Sequence, residues 1–517
     1  MRPAARRGRI RCRPINAKCG VEERQGSTMS RIERSMWTKG TVRLVLALSV
    51  ATAFVLARPL SGQEPASRPE FHVTLAGDAI INTAPEARES VPGFMGVVNA
   101  LRKGDASALN FEGTFATSPE AYPVFDSGGT WIFSDPARLK GLQWMGFNMF
   151  SAANNHSVDL GVPGLLDTVK EFKKGGAVFA GIGENLAQAR AAAYLQTAKG
   201  RVGFISRAST FSASAPAGQA RQDMRGRPGL APLRFLTTYR VDAPTFESLK
   251  RMRQDLKIGG GGEGGAAGPE SKLVMSLTGG RYGASAVTFE RSDKPGIVTT
   301  AHPDDLKDYT ARIRDAKQMA HYVVTYSHMH EAAPEGNTVP AQFITEYARA
   351  AVDAGVDVWA ASGPHVLRGI EIYKGKVIMY SLGNFIFEND LVIPQPQDNF
   401  DNYELGVEAL PADFFNARTD FDRKTWPANP LMWEAVVADV TFRGGRPAMV
   451  TLTPITLGFG NKRTDRGYPQ LANLTAANKI LQDLQKLSKP YGTTIVIKDG
   501  IGTITINPGT TTSQAGR

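Results

Sequence analysis

The feature that most constrains this chain is the segment 151–161, Ser-Ala-Ala-Asn-Asn-His-Ser-Val-Asp-Leu-Gly. A run of small residues, typical of a strand end, gives way there to two amides, an imidazole and a carboxylate. A helical pattern opens through Pro163, so these polar side chains stand where a strand meets a loop. In open α/β sheets, ligands bind at that edge. Taken alone, the segment is equally compatible with an asparagine-rich turn. Residues elsewhere in the chain are needed to distinguish such a turn from a ligand-binding site.

The first 62 residues have the composition of a leader. They hold 13 Lys/Arg and 3 Asp/Glu, whereas 47 basic and 46 acidic residues follow. Basic residues precede a largely apolar run at 44–57 and a small-residue stretch at 60–62, which is typical of a secretory signal at about 29–62. We therefore expect an exported protein, periplasmic or extracellular, or a membrane-anchored one if the leader stays uncleaved. Since the remaining charge is nearly balanced, we predict no nucleic-acid partner.

The upstream start of the chain is doubtful, because translation beginning at Met29 or Met36 would suit the leader equally well. Both cysteines, Cys12 and Cys19, precede Met29. The exported protein would then contain no cysteine, which excludes a disulfide framework and thiol catalysis.

Strand-like and helix-like patterns alternate over residues 63–510, which predicts a single layered α/β domain. Three stretches without clear periodicity, about 212–233, 257–271 and 388–433, predict flexible insertions. The last of them is rich in aromatic residues and is either a lid over the sheet edge or a disordered excursion. Residues 186–195 are rich in alanine and predict a helix, and residues 511–517 predict a disordered tail.

Ligand-type side chains follow one strand-like run after another. They are Asp78, Glu112, Asn155, His156, His328, His330 and His365. Each alone could cap a helix or close a turn. Together, mixed oxygen and imidazole ligands suit Zn²⁺, Mn²⁺ or Fe²⁺, as one ion or two. Because such an ion generates a nucleophile from water at neutral pH, hydrolysis is the natural chemistry.

Several motifs resemble one family. They are Gly77-Asp78, Asn110-Phe111-Glu112, Asn154-Asn155-His156-x-x-Asp159-x-Gly161, Gly181-Ile182-Gly183, the loop Arg227-Pro228-Gly229, His328-x-His330-Glu331, residues 363–371 (Gly-Pro-His-Val-Leu-Arg-Gly-Ile-Glu) and residues 380–385 (Tyr-Ser-Leu-Gly-Asn-Phe). Over residues 71–506 the chain is similar to the CapA (PgsA) capsule-synthesis proteins. The resemblance implies a calcineurin-like metallophosphoesterase β-sandwich flanked by helices, with a divalent metal centre at the strand ends. It also implies a role in poly-γ-glutamate capsule synthesis, export or anchoring.

The resemblance assigns roles to individual residues. It implies that Asp78, Glu112, Asn155, His328 and His365 are metal ligands, with His330 as a further one, and that His156 is the general acid, with Asp159 and Glu331 beside it in the catalytic set. Arg368 and Asn384 fall in motifs expected to bind substrate. Arg225 and Arg227 could also meet an anionic substrate, although solvated loop arginines are commoner.

The chain departs from the family pattern at two positions. Gly363 stands where the family often has the first histidine of His-Pro-His, and Ile80 stands where metallophosphoesterases place a histidine two residues after the aspartate. A single metal, or a weakly held second one, is therefore compatible with this sequence.

Two functional hypotheses follow. The first is an exported metal-dependent hydrolase that handles an anionic capsule polymer or a phosphoester, with a membrane-bound capsule synthase as a partner. The second is a non-catalytic capsule-assembly protein that holds polymer in the same pocket. A sugar- or peptide-binding domain without metal is a third.

Overall fold

The computed structural model describes residues 68–117, 121–258, 270–276 and 286–507. The predicted leader, most of the insertion at 257–271 and the predicted tail lie outside these ranges. Among the described helices, none has both the length and the apolar composition needed to cross a bilayer.

The larger of two main sheets has ten strands, and its centre is the strand Phe71–Ile80. That strand pairs in parallel with Ala106–Phe111 on one side and antiparallel with Glu434–Arg443 on the other. Nearly every residue of Phe71–Ile80 is buried, as expected for a central strand with both faces covered. In sheet order the strands are Val496–Lys498, Ile501–Thr505, Arg446–Thr456, Glu434–Arg443, Phe71–Ile80, Ala106–Phe111, Met149–Ser151 and Val178–Ala180, with Asn384–Phe387 and Gln470–Leu471 attached to the side.

The second main sheet has six strands, and its four central strands run parallel to one another. In order they are Leu367–Tyr373, Lys376–Leu382, Val358–Ser362, Tyr322–His328, Gly200–Ala208 and Ala193–Thr197. The first two form the hairpin predicted around residues 374–376. A separate four-stranded sheet contains Lys272–Ser276, Ala286–Arg291, Phe235–Val241 and Gly296–Ala301, against which the helix Ala243–Asp255 packs.

The two main sheets pack face to face through a shared apolar core that includes Val73, Leu75, Val324 and Val358. Helices cover both outer faces. They are Phe94–Leu101, Ala137–Met145 and Gly161–Lys174 on the larger sheet, and Pro303–Met319 and Gln342–Ala354 on the smaller one. The fold is therefore a β-sandwich flanked by helices, of the metallophosphoesterase-like α/β type, as predicted.

Residues 186–195 do not form the predicted alanine-rich helix. The helix stops at Ala189, and Ala193–Thr197 is instead an edge strand that pairs antiparallel with Gly200–Ala208. Pairing with a neighbouring strand outweighs the helical propensity of alanine at this edge.

The segment 388–433 contains the short helices Gln397–Asp401 and Pro411–Thr419 and several 3₁₀ turns. Its aromatic side chains Phe414, Phe415, Trp426 and Trp433 are buried in the core outside the larger sheet. This packing holds the segment against the edge at which the polar side chains converge.

Candidate metal centre

The strand ends of both sheets deliver the predicted ligands to one place. Asp78, Glu112 and His328 are fully buried, and they lie with His330 and His365 at the edge where parallel strands end. The side chains form two sets of three, and within each set the ligand atoms all lie within 4.8 Å of one another. One set is Glu112, His328 and His330, and the other is Asp78, Glu112 and His365. Glu112 belongs to both sets, so the cluster contains two adjoining positions for a cation.

Glu112 is the centre of the cluster. Its Oε1 lies 3.8 Å from Nε2 of His328, 3.8 Å from Nε2 of His365 and 3.9 Å from Nε2 of His156. Both carboxylate oxygens are buried and have no hydrogen-bond partner. Because a buried polar atom without a partner is costly, a ligand bound to this carboxylate would stabilise the site, and a divalent cation fits the surrounding donors.

Neighbouring groups orient the histidines. The Asn110 amide donates to Oδ1 of Asp78 at 2.8 Å and lies 3.1 Å from Nδ1 of His328, while Nε2 of His328 lies 2.9 Å from Nε2 of His330. Nδ1 of His365 lies 2.8 Å from Oδ1 of Asn384. These contacts hold the rings of His328 and His365 so that Nε2 of each faces Glu112, as partners of metal-bound histidines do.

Burial and neighbouring charges shift the pKa values of two histidines and two carboxyl groups in the cluster. Burial, with the negative charges of Asp78 and Asp159, raises the pKa of Glu112 well above its ordinary value. Burial and the neighbouring histidines lower the pKa of His330 well below its ordinary value, and burial also lowers the pKa of His365. Burial opposes ionisation of Asp78, but its contact with His328 prevails and lowers the pKa of Asp78. Neutral imidazole is the form that binds metals, so this donor set suits a cation.

His156 forms a dyad with Asp159. Its Nδ1 lies 2.6 Å from Oδ2 of Asp159, and that oxygen also accepts a hydrogen bond from the backbone N–H of Ile132 at 2.6 Å. Burial raises the pKa of Asp159 although His156 opposes the rise. The contact leaves Nε2 of His156 facing Glu112, where it can hold or deliver a proton. Asn155, the preceding residue, has a buried Oδ1 with no hydrogen-bond partner, which suits the ligand role implied for it.

Gly363 and Ile80, the two positions at which the chain departs from the family pattern, both lie at the cluster. Gly363 has a φ of +117°, and a Cβ at this position would lie 2.9 Å from the backbone nitrogen of Met329. The backbone N–H of Gly363 donates a hydrogen bond to Oδ2 of Asp78 at 2.9 Å. A histidine at this position would be strained, since L-residues rarely adopt that φ. Ile80 is buried and contributes an apolar wall to the cavity above the cluster.

Four predicted residues have contacts other than those expected. Glu331 accepts from Oγ of Ser209 at 2.5 Å and Oγ1 of Thr210 at 2.9 Å, so the geometry gives it a positioning contact. Arg368 is buried and donates to the carbonyl oxygens of His330 and Asn337. Arg225 and Arg227 line two separate cavities away from the cluster. Direct substrate contact by Arg225, Arg227, Arg368 and Asn384, and catalysis by Glu331, stay predictions.

Arg418 is a further candidate residue of the site, and it was not predicted from the sequence. A cavity of about 430 Å³ lies over the cluster, lined by Glu112, His156, His330 and His365 on one side and by Arg418 and Trp426 on the other. Nη1 of Arg418 donates to Oγ1 of Thr130 at 2.5 Å, and its guanidinium carbon lies 5.0 Å from the centre of the Trp426 ring. The aromatic content of residues 388–433 predicted either a lid over the sheet edge or a disordered excursion, and nothing in the sequence selected this arginine.

The fold and the cluster together define an α/β protein of the metallophosphoesterase type with a candidate metal site at its strand ends. A family model described as bacterial capsule synthesis protein PGA_cap matches residues 72–389, and the chain belongs to that family.

The chain is also similar to individual proteins, one of them over a longer stretch than the family model covers. An uncharacterized protein, y4uA, of Sinorhizobium fredii is 34% identical over 443 residues, which cover 84% of this chain and 93% of the relative. The PGA biosynthesis protein CapA of Bacillus subtilis is 27% identical over 295 residues, covering 57% of this chain and 56% of the relative. The capsule biosynthesis protein CapA of Bacillus anthracis is 25% identical over 251 residues, covering 48% and 42%.

Proposed function

We propose that the protein is an exported, metal-dependent hydrolase of capsule metabolism, acting on a phosphoester or on poly-γ-glutamate. The observation that carries this proposal is the buried carboxylate of Glu112, unpartnered at both oxygens and surrounded by Asp78 and four histidines. The name of the Bacillus subtilis relative supports poly-γ-glutamate as the polymer.

The donor set supports Zn²⁺, Mn²⁺ or Fe²⁺, held by Asp78, Glu112, His328, His330 and His365, with Asn155 beside them. Such an ion polarises a phosphoryl or carbonyl oxygen and lowers the pKa of bound water to about 7. The shared position of Glu112 accommodates one ion or two.

The surrounding side chains supply the remaining steps. Asp159 fixes the ring of His156 through Nδ1, so a proton at Nε2 faces the leaving atom of a substrate in the cavity. That atom is the ester oxygen of a phosphoester or the amide nitrogen of poly-γ-glutamate. Arg418 provides the cation that binds an anionic substrate oxygen, and Trp426 provides an apolar wall that excludes water. The leader expected at 29–62 supports export, and a membrane-bound capsule synthase is the proposed partner.

The non-catalytic alternative is a capsule-assembly protein that holds polymer in this cavity. The observation that supports this alternative is the pair Arg418 and Trp426, because a guanidinium beside an aromatic wall can hold an anionic chain without any chemical step. The two proposals differ over His156. The hydrolase needs its imidazole for turnover, whereas the capsule-assembly protein does not.

The experiment is elemental analysis of the purified protein together with parallel assays on a phosphodiester and on poly-γ-glutamate. The hydrolase reading expects His156→Ala to lose turnover by about 10²-fold or more while keeping its metal. His321→Ala is the matched control, because His321 is exposed at the opposite end of the strand that carries His328. Absence of metal from the wild type would refute the proposal, and capsule function surviving in His156→Ala would favour the assembly protein.

A further inference from the structure

We propose a second, anion-binding site that is separate from the metal centre and takes a carboxylate or phosphate group on Arg207. It occupies a cavity of about 550 Å³ between the six-stranded sheet and the helix Pro303–Met319. The inference does not depend on the proposed hydrolase activity.

Arg207 is a buried cation with an unused donor. It lies at the end of the strand Gly200–Ala208, where Ile205 and Arg207 face the outer helix layer while Phe204 faces the core between the sheets. Its side chain is 2% exposed, yet Nη1 has no hydrogen-bond partner. Among the residues that the structure describes, Arg207 forms one ion pair, from Nη2 to Oδ2 of Asp308 at 3.4 Å. Burial lowers the pKa of Arg207 to about 10, which leaves it charged at neutral pH.

The carboxylate that pairs with Arg207 is shared with other guanidinium groups. Asp308 is shared among three guanidinium groups, with distances of 3.0 Å to Arg190, 3.4 Å to Arg207 and 3.6 Å to Arg312. Asp305 is engaged by a bidentate contact from Arg234. Four arginines and three aspartates line the cavity, and Asp304 is the third of these acids. The buried guanidinium of Arg207 has only a share of one carboxylate. We expect it to bind a further anion, because a buried charge without a full partner is costly.

The shape of the cavity limits the occupant. Leu186, Phe211 and Pro232 line the cavity beside the charged groups, and Arg227, which donates to the carbonyl oxygen of Pro216, lies on the same wall. A guanidinium fork matches the paired oxygens of carboxylate and phosphate groups, and the apolar wall suits a short carbon chain behind them. A small carboxylic acid, one unit of an acidic polymer or a free phosphate shares this chemistry.

The experiment is isothermal titration of the full chain with three probes: L-glutamate, a short γ-linked glutamyl oligomer and inorganic phosphate. Binding at Arg207 predicts that at least one probe binds about ten- to a hundred-fold more weakly to Arg207→Met than to the wild type. Which probe responds identifies the source of the anion. Arg221→Met is the matched control, because Arg221 is exposed on the neighbouring loop and is paired with Asp223.

A second variant guards against misfolding of Arg207→Met. Ala213 is exposed and lines the cavity, so Ala213→Trp fills the cavity without removing any buried group, and we expect the same loss of binding. The proposal is overturned if no probe binds the wild type, or if Ala213→Trp binds every probe as the wild type does. Since neither variant alters the metal cluster and the readout is binding, this failure is distinguishable from failure of the hydrolase proposal.

Discussion

Oδ1 of Asn384 lies 2.8 Å from Nδ1 of His365, and this contact sets the direction of the imidazole. With Nδ1 engaged, Nε2 faces Glu112. Asn384→Leu should therefore lower metal affinity about 10- to 100-fold, because partners of metal-bound histidines contribute that much to affinity. Metal titration followed by calorimetry measures the change.

The matched control is Asn399→Leu. Asn399 is also a buried asparagine, and its amide donates to Oε1 of Gln395 at 2.8 Å, apart from the cluster. We expect it to lose stability but keep wild-type metal affinity. Equal metal affinity in Asn384→Leu and the wild type would contradict the orienting role.

Asp159→Asn should lower kcat about 10²-fold and leave the metal content unchanged. An asparagine retains the shape but weakens the hold on Nδ1 of His156, so the proton at Nε2 is no longer reliably directed into the cavity. Steady-state kinetics beside elemental analysis tests this. Asp167→Asn, in the adjacent helix Gly161–Lys174, is the control, and a comparable fall in kcat there would point to a general structural effect.

Arg418→Met should raise KM for an anionic substrate about tenfold or more while changing kcat less, since a hydrogen bond to a charged group contributes about 1.5–3 kcal/mol. Arg423→Met is the control, because Arg423 is exposed in the same segment and pairs with Asp420. A neutral phosphoester or amide should show no such difference. The assignment of Arg418 to substrate binding fails if anionic and neutral substrates respond alike.

Gly363→Ala should destabilise the protein by about 1–3 kcal/mol and weaken metal binding. The added Cβ meets the backbone nitrogen of Met329, and relief of that contact shifts the N–H that donates to Asp78. Gly375→Ala is a matched control, because Gly375 also has a positive φ, +71°, but a Cβ there meets nothing within 4 Å. Denaturant unfolding of both variants separates two costs. The variant at Gly375 measures the cost of a positive φ alone, and the variant at Gly363 adds the cost of the steric contact.

Removing metal with a chelator should lower Tm, because an ion that binds only the folded state stabilises it by about 4 kcal/mol at a thousandfold excess over Kd. Glu112→Gln should abolish most of this shift, since it removes the carboxylate common to both cation positions. Glu331→Gln serves as comparison, as its carboxylate contacts Ser209 and Thr210 instead. A chelator-dependent Tm that persists in Glu112→Gln would place the ion elsewhere.

The cluster of candidate ligands could be predicted from the sequence because each member lies at the end of a strand or within three residues after it. Parallel strands bring their carboxyl ends to the same edge, so Glu112, His328 and His365 converge although they lie far apart in the chain. The hairpin around residues 374–376 and the antiparallel pair Glu434–Arg443 and Arg446–Thr456 were equally accessible, since alternating runs and glycine turns determine them.

Other features depend on contacts that local sequence does not encode. Glu331 follows His330, but neighbouring residues of an extended chain point in opposite directions, so its carboxylate turns away toward Ser209. Arg418 reaches Thr130 across 288 residues, and Ala193–Thr197 becomes a strand only because Gly200–Ala208 offers an edge. Arg207 resembles any strand-end arginine until its burial is known.

The candidate cation ligands and the opposite wall of the cavity belong to different stretches of chain. Asp78, Glu112, His328, His330 and His365 all fall within the family match at 72–389, whereas Arg418 and Trp426 come from the excursion that begins as the match ends. Under the proposed function, reactivity and selectivity would thus be encoded separately. Exchanging that excursion between relatives should then change which anionic ligand the cavity accepts while the candidate metal site stays intact.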